Sequence, residues 1–266
     1  MDLGYLKKES RSELQKTLEP LNPRILDPYL QKIWRSTKKI MCGRFAQFSP
    51  VSLLKEAFDV RVVKCDPVQS YNVAPSQDVL AVVYSGERIL TKFFWGILPR
   101  IGKKETKPPL LINARFETVA EKPSFREAYR FRRCLIPADG FYEWKKAGSI
   151  KEPWFFKVQS NLPFAFAGIW EKRREKEEPI RLTFAIITTE ATGPFSEIHN
   201  RMPVILDKKT YENWLDPDEN DPKRIKEIIQ GGSISGINGY PVSRRINSVS
   251  NNDPSCIAPL DLSAKL

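Results

Sequence analysis

Three side chains of this 266-residue sequence are of types suited to covalent and proton-transfer chemistry: Cys42 in MCGRF, Glu143 in DGFYEWK and His199 in IHNRMPVIL. Thiol, carboxyl and imidazole groups can together manage nucleophilic attack and the movement of protons around it. His199 is the single histidine of the chain. Its side-chain type titrates, unperturbed, near neutrality, which makes it the natural proton shuttle. Glu143 stands among Phe141, Tyr142 and Trp144, surroundings expected to desolvate a carboxylate and raise its pKa. Each residue also has a plainer reading. A cysteine taken singly is more often a small buried hydrophobe, a lone histidine is more often structural, and a strand glutamate commonly faces water. Cys65, Cys134 and Cys256 keep that plainer reading, with Cys134 packed in RCLIPA and Cys256 in a segment expected to shape a loop near the site.

Composition narrows the chemistry. The four cysteines form no CxxC pair, so neither a disulfide framework nor a zinc site is suggested. One histidine excludes a multi-histidine cage; no metal and no cofactor are expected. A net charge of +11 favours a polyanionic partner. Residues 1–40 hold nine basic and five acidic residues, so +7 of the +11 belongs to the rest of the chain. No run approaches the roughly 18–20 apolar residues of a membrane span. The start MDLGYLKKESRSELQK lacks a secretory signal's apolar stretch, so no membrane partner and an intracellular location are expected.

The elements that must position these groups are short. Residues 1–40 are charged, interrupted by Pro20, Pro23 and Pro28, and too poor in apolar residues for a core; they read as a leader. From Met41 to about 260 the texture is that of one domain, followed by a tail at 261–266. Ser49-Pro50 before VSLLKEAF reads as N-cap, first-turn proline and short amphipathic helix. VLAVVY, Ser85-Gly86-Glu87 and RILTKFFWGI read as a β-hairpin. Further strands are expected near 131–136, 140–145, 154–158, 163–170 and 182–188, with helices near 123–129, 207–215 and 221–229. EKRREKEEP at 171–179 reads as a solvated hairpin loop. The order is not a β-α alternation. It predicts an α+β fold, a mostly antiparallel, barrel-like sheet with flanking short helices.

MCGRF at 41–45, YNVAPSQ at 71–77, NARFET at 113–118, DGFYEWK at 139–145 and IHNRMPVIL at 198–206 together resemble the SOS response-associated peptidase (SRAP) family of abasic-site shielding proteins. FFWGILP at 93–99 and SNNDPSCIAPL at 250–260 extend the resemblance over residues 41–260. It implies that Cys42 acts as a chain-terminal residue. Its amine would form an imine with the aldehyde of a ring-opened abasic site in single-stranded DNA, and its thiol would close a five-membered thiazolidine. It further implies that Glu143 moves protons at the amine, that His199 protonates the sugar-ring oxygen, and that Asn113 orients amine and sugar. Arg115 and Arg201 match DNA-contacting arginines, and Arg44 is expected to join them on phosphates. Trp95 would stack on a base beside the lesion, while Asn72, Ala74 and Pro75 would shape a pocket wall and wedge.

The sequence places forty residues before Met41, and an amine locked in a peptide bond cannot form an imine. Translation from Met41 with methionine removal, proteolysis, or self-cleavage by Cys42 would each free it, and the first is the preferred expectation. A monomer is expected, cytoplasmic and nucleoid-associated in a bacterium or nuclear in a eukaryote. Two other functions fit the same residues: a thiol peptidase acting on other proteins, and a noncovalent reader of modified or single-stranded DNA.

Overall fold

The computed structural model describes residues 42–98, 110–160, 162–173, 180–232 and 236–261. The expected leader, residues 262–266 of the tail and the 174–179 part of the charged run lie outside the described residues. In chain order the strands are β1 (Phe45–Gln47), β2 (Val62–Val63), β3 (Ser70–Val73), β4 (Asp78–Tyr84), β5 (Arg88–Trp95), β6 (Asn113–Arg115) and β7 (Arg133–Ala138). There follow β8 (Gly140–Ala147), β9 (Ile150–Val158), β10 (Phe164–Arg173), β11 (Arg181–Glu190), β12 (Arg201–Pro203), β13 (Ile205–Leu206) and β14 (Ile237–Pro241). The α-helices are α1 (Val51–Phe58), α2 (Arg126–Phe131), α3 (Tyr211–Leu215) and α4 (Pro222–Gly231).

The expected hairpin forms as β4–β5, with Gly86 at φ 86 in the turn, a conformation that costs a side chain energy and glycine little. β11 pairs antiparallel with β10 and parallel with β5, so the series β11-β10-β7-β4-β5 returns to its own start and closes a five-stranded barrel. The other neighbours around this ring are antiparallel. A second, wholly antiparallel sheet runs β14-β9-β8-β1-β3. The α+β, barrel-like expectation therefore holds.

Alternation along the barrel strands divides their side chains between two cores. Val79, Ala81, Val83, Phe93, Trp95, Ile136, Phe166 and Phe184 pack with Phe45, Phe141 and Phe156 of the second sheet. Leu80, Val82, Leu90, Leu135, Ala167 and Ala185 pack beneath the helices, against Phe58, Tyr129, Trp214 and Ile225. Because both faces are covered, β7 is buried at every position, which is why CLIPA after Arg133 reads as an unbroken apolar run. Helix α1 departs from expectation at its start. Pro50 is the N-cap residue without a side-chain bond, and the Ser49 hydroxyl instead donates to Asp139.

Arg133 is the buried polar tie between the barrel and the helical layer. Its Nε donates to Trp214 O at 2.7 Å, Nη1 to Tyr129 O and Arg130 O, and Nη2 to Asp216 O and Glu219 O. Burial lowers its pKa to about 10, still well above neutrality, so the five carbonyls face a cation. Arg133→Met would fill much of the volume and leave those acceptors unmatched. The expected cost is about 3–4 kcal/mol, in line with truncating a buried hydrogen-bonded charge. Differential scanning calorimetry should show a melting temperature lower by about 10 °C.

Candidate active site

Cys42 and Gly43 continue the line of β1 alongside β8, since Phe45 pairs with Phe141 and the Tyr142 amide donates to Arg44 O. This register carries the Cys42 nitrogen to the side chain of Glu143. Cys42 N donates to Glu143 Oε1 at 2.6 Å, and its Sγ lies 3.9 Å from Arg201 O. Cys42 is buried and holds a left-handed backbone, φ 46, although it is not glycine. Burial, reinforced by Glu143, pushes its thiol well above the usual range, so sulfur is protonated at neutral pH.

Glu143 is buried at 4% exposure, and desolvation raises its pKa against the opposing pull of His199 and of the Cys42 amide. The expected direction holds, but the neighbours differ from those read in the sequence. Adjacent strand residues face opposite ways, so Tyr142 and Trp144 belong to a core on the other face of β8, with Phe155 and Cys256. Beside Glu143 on its own face stand Phe141 and, directly across the β8–β9 pairing, Trp154.

His199 arrives on the loop between β11 and β12. The 3-10 turn Gly193–Glu197 buries Phe195 against Phe141 and Phe156, with ring centroids 5.6 and 4.7 Å apart, and Phe195 O accepts the His199 amide. That anchor sets the imidazole within electrostatic reach of Glu143. His199 Nδ1 accepts the Arg201 amide at 3.1 Å, which leaves Nε2 to carry the proton of the neutral ring.

Asn113 and Arg115 come from β6, which pairs in parallel with β11 at Ile186 and Thr188. Asn113 is half-buried and Arg115 exposed. The structure thus brings Cys42, Glu143 and His199 together beside the middle of β8, with β6 and β12 flanking β11. Among the described residues no three His, Cys, Asp or Glu side chains gather as a metal site.

Five residues expected on the DNA are placed differently. Trp95 is 0% exposed, packed edge-on against Phe45 at 5.1 Å and stacked with Phe184, and its Nε1 donates to Ile112 O; no face remains for a base. Arg44 is buried, with Nη1 donating to Asn72 Oδ1 at 2.6 Å and Ile246 O at 2.7 Å. Asn72 in turn donates to Ser248 O and Asn251 O, while Asn252 Oδ1 accepts the Tyr71 and Asn72 amides. Arg44 and Asn72 therefore latch the 246–252 segment onto β3. Pro75 and Ala74 are buried in the turn before β4, where Ser76 takes φ 69, so Pro75 offers no wedge. Arg201 is also buried; its Nη1 and Nη2 donate to Glu117, a residue of the NARFET segment that sequence reasoning passed over, while its Nε is buried without a hydrogen-bond partner among the described residues. The signal was present as a lone carboxylate two positions after Arg115.

The family model described as SOS response associated peptidase (SRAP) matches residues 41–249. The chain is 40% identical over 221 residues to the abasic site processing protein YoqW of Bacillus subtilis, covering 82% of this chain and 99% of that protein. It is 33% identical to the abasic site processing protein YedK of Escherichia coli, over 83% of this chain and 100% of the relative. A solved phage-related protein from Bordetella bronchiseptica superposes with a TM-score of 0.63 at 29% identity, covering 76% of this chain and 95% of that one.

Proposed function

Because the chain belongs to the SRAP family, whose relatives here are named abasic site processing proteins, we propose that it captures abasic sites in single-stranded DNA covalently through Cys42. The observation that carries this reading is the 2.6 Å contact between the Cys42 nitrogen and a desolvated carboxylate, with the thiol of the same residue alongside. Amine and thiol two carbons apart are what thiazolidine closure needs. The nitrogen must be a free amine for this, so the residues before Cys42 must be absent or removed.

The bonds balance as follows. The Nε2 proton of His199 passes to the sugar-ring oxygen as the C1′–O4′ bond opens, and the ring takes back the hemiacetal hydroxyl proton, leaving an aldehyde. The amine attacks the aldehyde carbon; Glu143 carries one amine proton to the resulting alkoxide, giving a carbinolamine, and then carries the second N–H proton to the departing hydroxyl, which leaves as water to give the neutral imine. The protonated Cys42 sulfur then adds to the imine carbon while its proton moves to nitrogen. One water is released and no redox change occurs. A protonated thiol suits this order, because the amine attacks first and sulfur enters only at ring closure.

The test is a denaturing gel of a chain beginning at Cys42 with abasic and intact oligonucleotides. A denaturation-resistant adduct with abasic single strands alone is expected; an equal adduct with intact DNA would defeat the reading. Of the arginines singled out, Arg115 is the exposed one and is assigned to phosphate. Arg115→Ala should weaken single-strand binding uniformly across sequences and lower the slope of log affinity against log salt by about 0.7, the share of one phosphate contact. Fluorescence anisotropy over a salt series measures both.

A further inference from the structure

Arg201 touches both reacting groups through its backbone. Its amide donates to His199 Nδ1 at 3.1 Å, and its carbonyl stands 3.9 Å from Cys42 Sγ. Its side chain is held from the opposite direction. Nη1 and Nη2 reach Glu117 Oε1 and Oε2 at 2.7 and 2.9 Å, a two-pronged fork, and Nη2 also reaches Thr188 O at 2.6 Å and Thr188 Oγ1 at 3.3 Å. We propose that Glu117 and Arg201 form a positioning pair, in which the carboxylate clamps the guanidinium and so fixes the peptide groups that orient His199 and receive the Cys42 thiol. The functional side of this proposal rests on the covalent reading above.

The Arg201 side chain is 9% exposed and that of Glu117 is 40% exposed, so the carboxylate occupies the outer position of the pair. Burial alone would raise the Glu117 carboxyl; the Arg201 fork outweighs it and holds the group below the usual carboxylate range. The pair therefore stays ionised and closed at neutral pH. A bidentate carboxylate–guanidinium contact fixes a plane as well as a distance, which a lysine in place of Arg201 could not reproduce. β12 is three residues long, so the clamp supplies rigidity that so short a strand lacks.

The chain offers an unusual probe, because its single histidine gives one imidazole signal set without assignment. In ¹⁵N long-range correlation spectra of the full chain at a pH where the ring is neutral, His199 should show the Nε2–H tautomer. Glu117→Ala should turn this into a mixture of tautomers, because the Arg201 amide no longer holds Nδ1. Glu117→Gln, which keeps one oxygen for the fork, should fall between and guards against loss of fold. In a chain beginning at Cys42, Glu117→Ala should lower the adduct rate at saturating DNA roughly ten- to hundredfold, the usual effect of small misplacements. The half-saturating DNA concentration should stay within about twofold, since a positioning group adds little to ground-state binding. An unchanged tautomer in Glu117→Ala, or a loss of DNA affinity with the saturating rate intact, would overturn the pair's role. Should the unsubstituted chain form no adduct, the covalent reading fails, while the tautomer still decides whether the clamp orients His199.

Discussion

Cys42→Ala, in a chain that begins at residue 42, is expected to yield no adduct that survives denaturation with abasic single-stranded DNA. Alanine keeps the terminal amine beside Glu143, so an imine can still form, but nothing follows it to close the ring. An imine hydrolyses on dilution; a thiazolidine persists. Cys42→Ser tests the same point with finer grain, because its hydroxyl could close an oxygen ring but is a weaker nucleophile than sulfur. Its adduct should appear only when trapped by a hydride reductant, with untrapped material at least about a hundredfold below the unsubstituted protein, the scale of losing a covalent catalytic group. A chain that retains the peptide bond before Cys42 should give none. A stable adduct from that uncleaved chain would require a different nucleophile and would remove Cys42 from the mechanism.

Glu143→Gln carries the second large effect. The carboxamide oxygen can still accept the Cys42 N–H now seen at 2.6 Å, so geometry survives while the base does not. The adduct rate should fall roughly 10²–10⁴-fold, the range for loss of a positioned general base. The unsubstituted protein should lose activity as pH falls through the Glu143 pKa, at a pH above the ordinary carboxylate range because burial raises it; His199 and the Cys42 group face the same carboxyl and shape the profile with it. That acid limb should vanish in Glu143→Gln. Stability should move the other way. Since the folded pKa is raised above the unfolded one, ionising Glu143 opposes folding, and the stability it contributes below the unfolded pKa is lost as pH rises through the folded pKa. Glutamine escapes that loss, so Glu143→Gln should melt no lower than the unsubstituted chain at neutral pH. A large fall in melting temperature would show that its inactivity is structural.

Much of the frame was legible from pattern. The β4–β5 hairpin announces itself through VLAVVY, a Ser-Gly-Glu turn and RILTKFFW, because branched and aromatic runs separated by a glycine turn have few other ways to fold. The closure of the barrel was not. It depends on β5 meeting β11 in parallel across nearly ninety residues, and no local pattern encodes a nonlocal edge. β14 was missed because INGYP has turn composition, yet it adds to β9 through its backbone. For the site, residue type made Cys42, Glu143 and His199 candidates, and the family-like motifs around them singled them out from plainer structural readings. Type could not separate Arg115, exposed, from Arg44 and Arg201, buried on Asn72 and Glu117, because an arginine's role depends on which carbonyls and carboxylates the fold sets before it. Trp95 failed as a stacking platform for a related reason: alternation on β5 turns it inward, between Phe45 and Phe184.

The backbone of Cys42, at φ 46, has a bearing on how its amine is freed. A left-handed torsion at a residue with a Cβ is unfavourable by about 1–2 kcal/mol, because the Cβ crowds neighbouring backbone carbonyl groups. Once Cys42 is the first residue of the chain, φ ceases to be a constrained backbone torsion. The fold thus stores a small amount of conformational tension in the one linkage whose loss liberates the amine, and hydrolysis there is favoured by about five- to thirtyfold in equilibrium over an unstrained peptide. Rejoining the segment would have to restore that torsion, so the geometry biases the equilibrium toward the liberated terminus by that same modest factor.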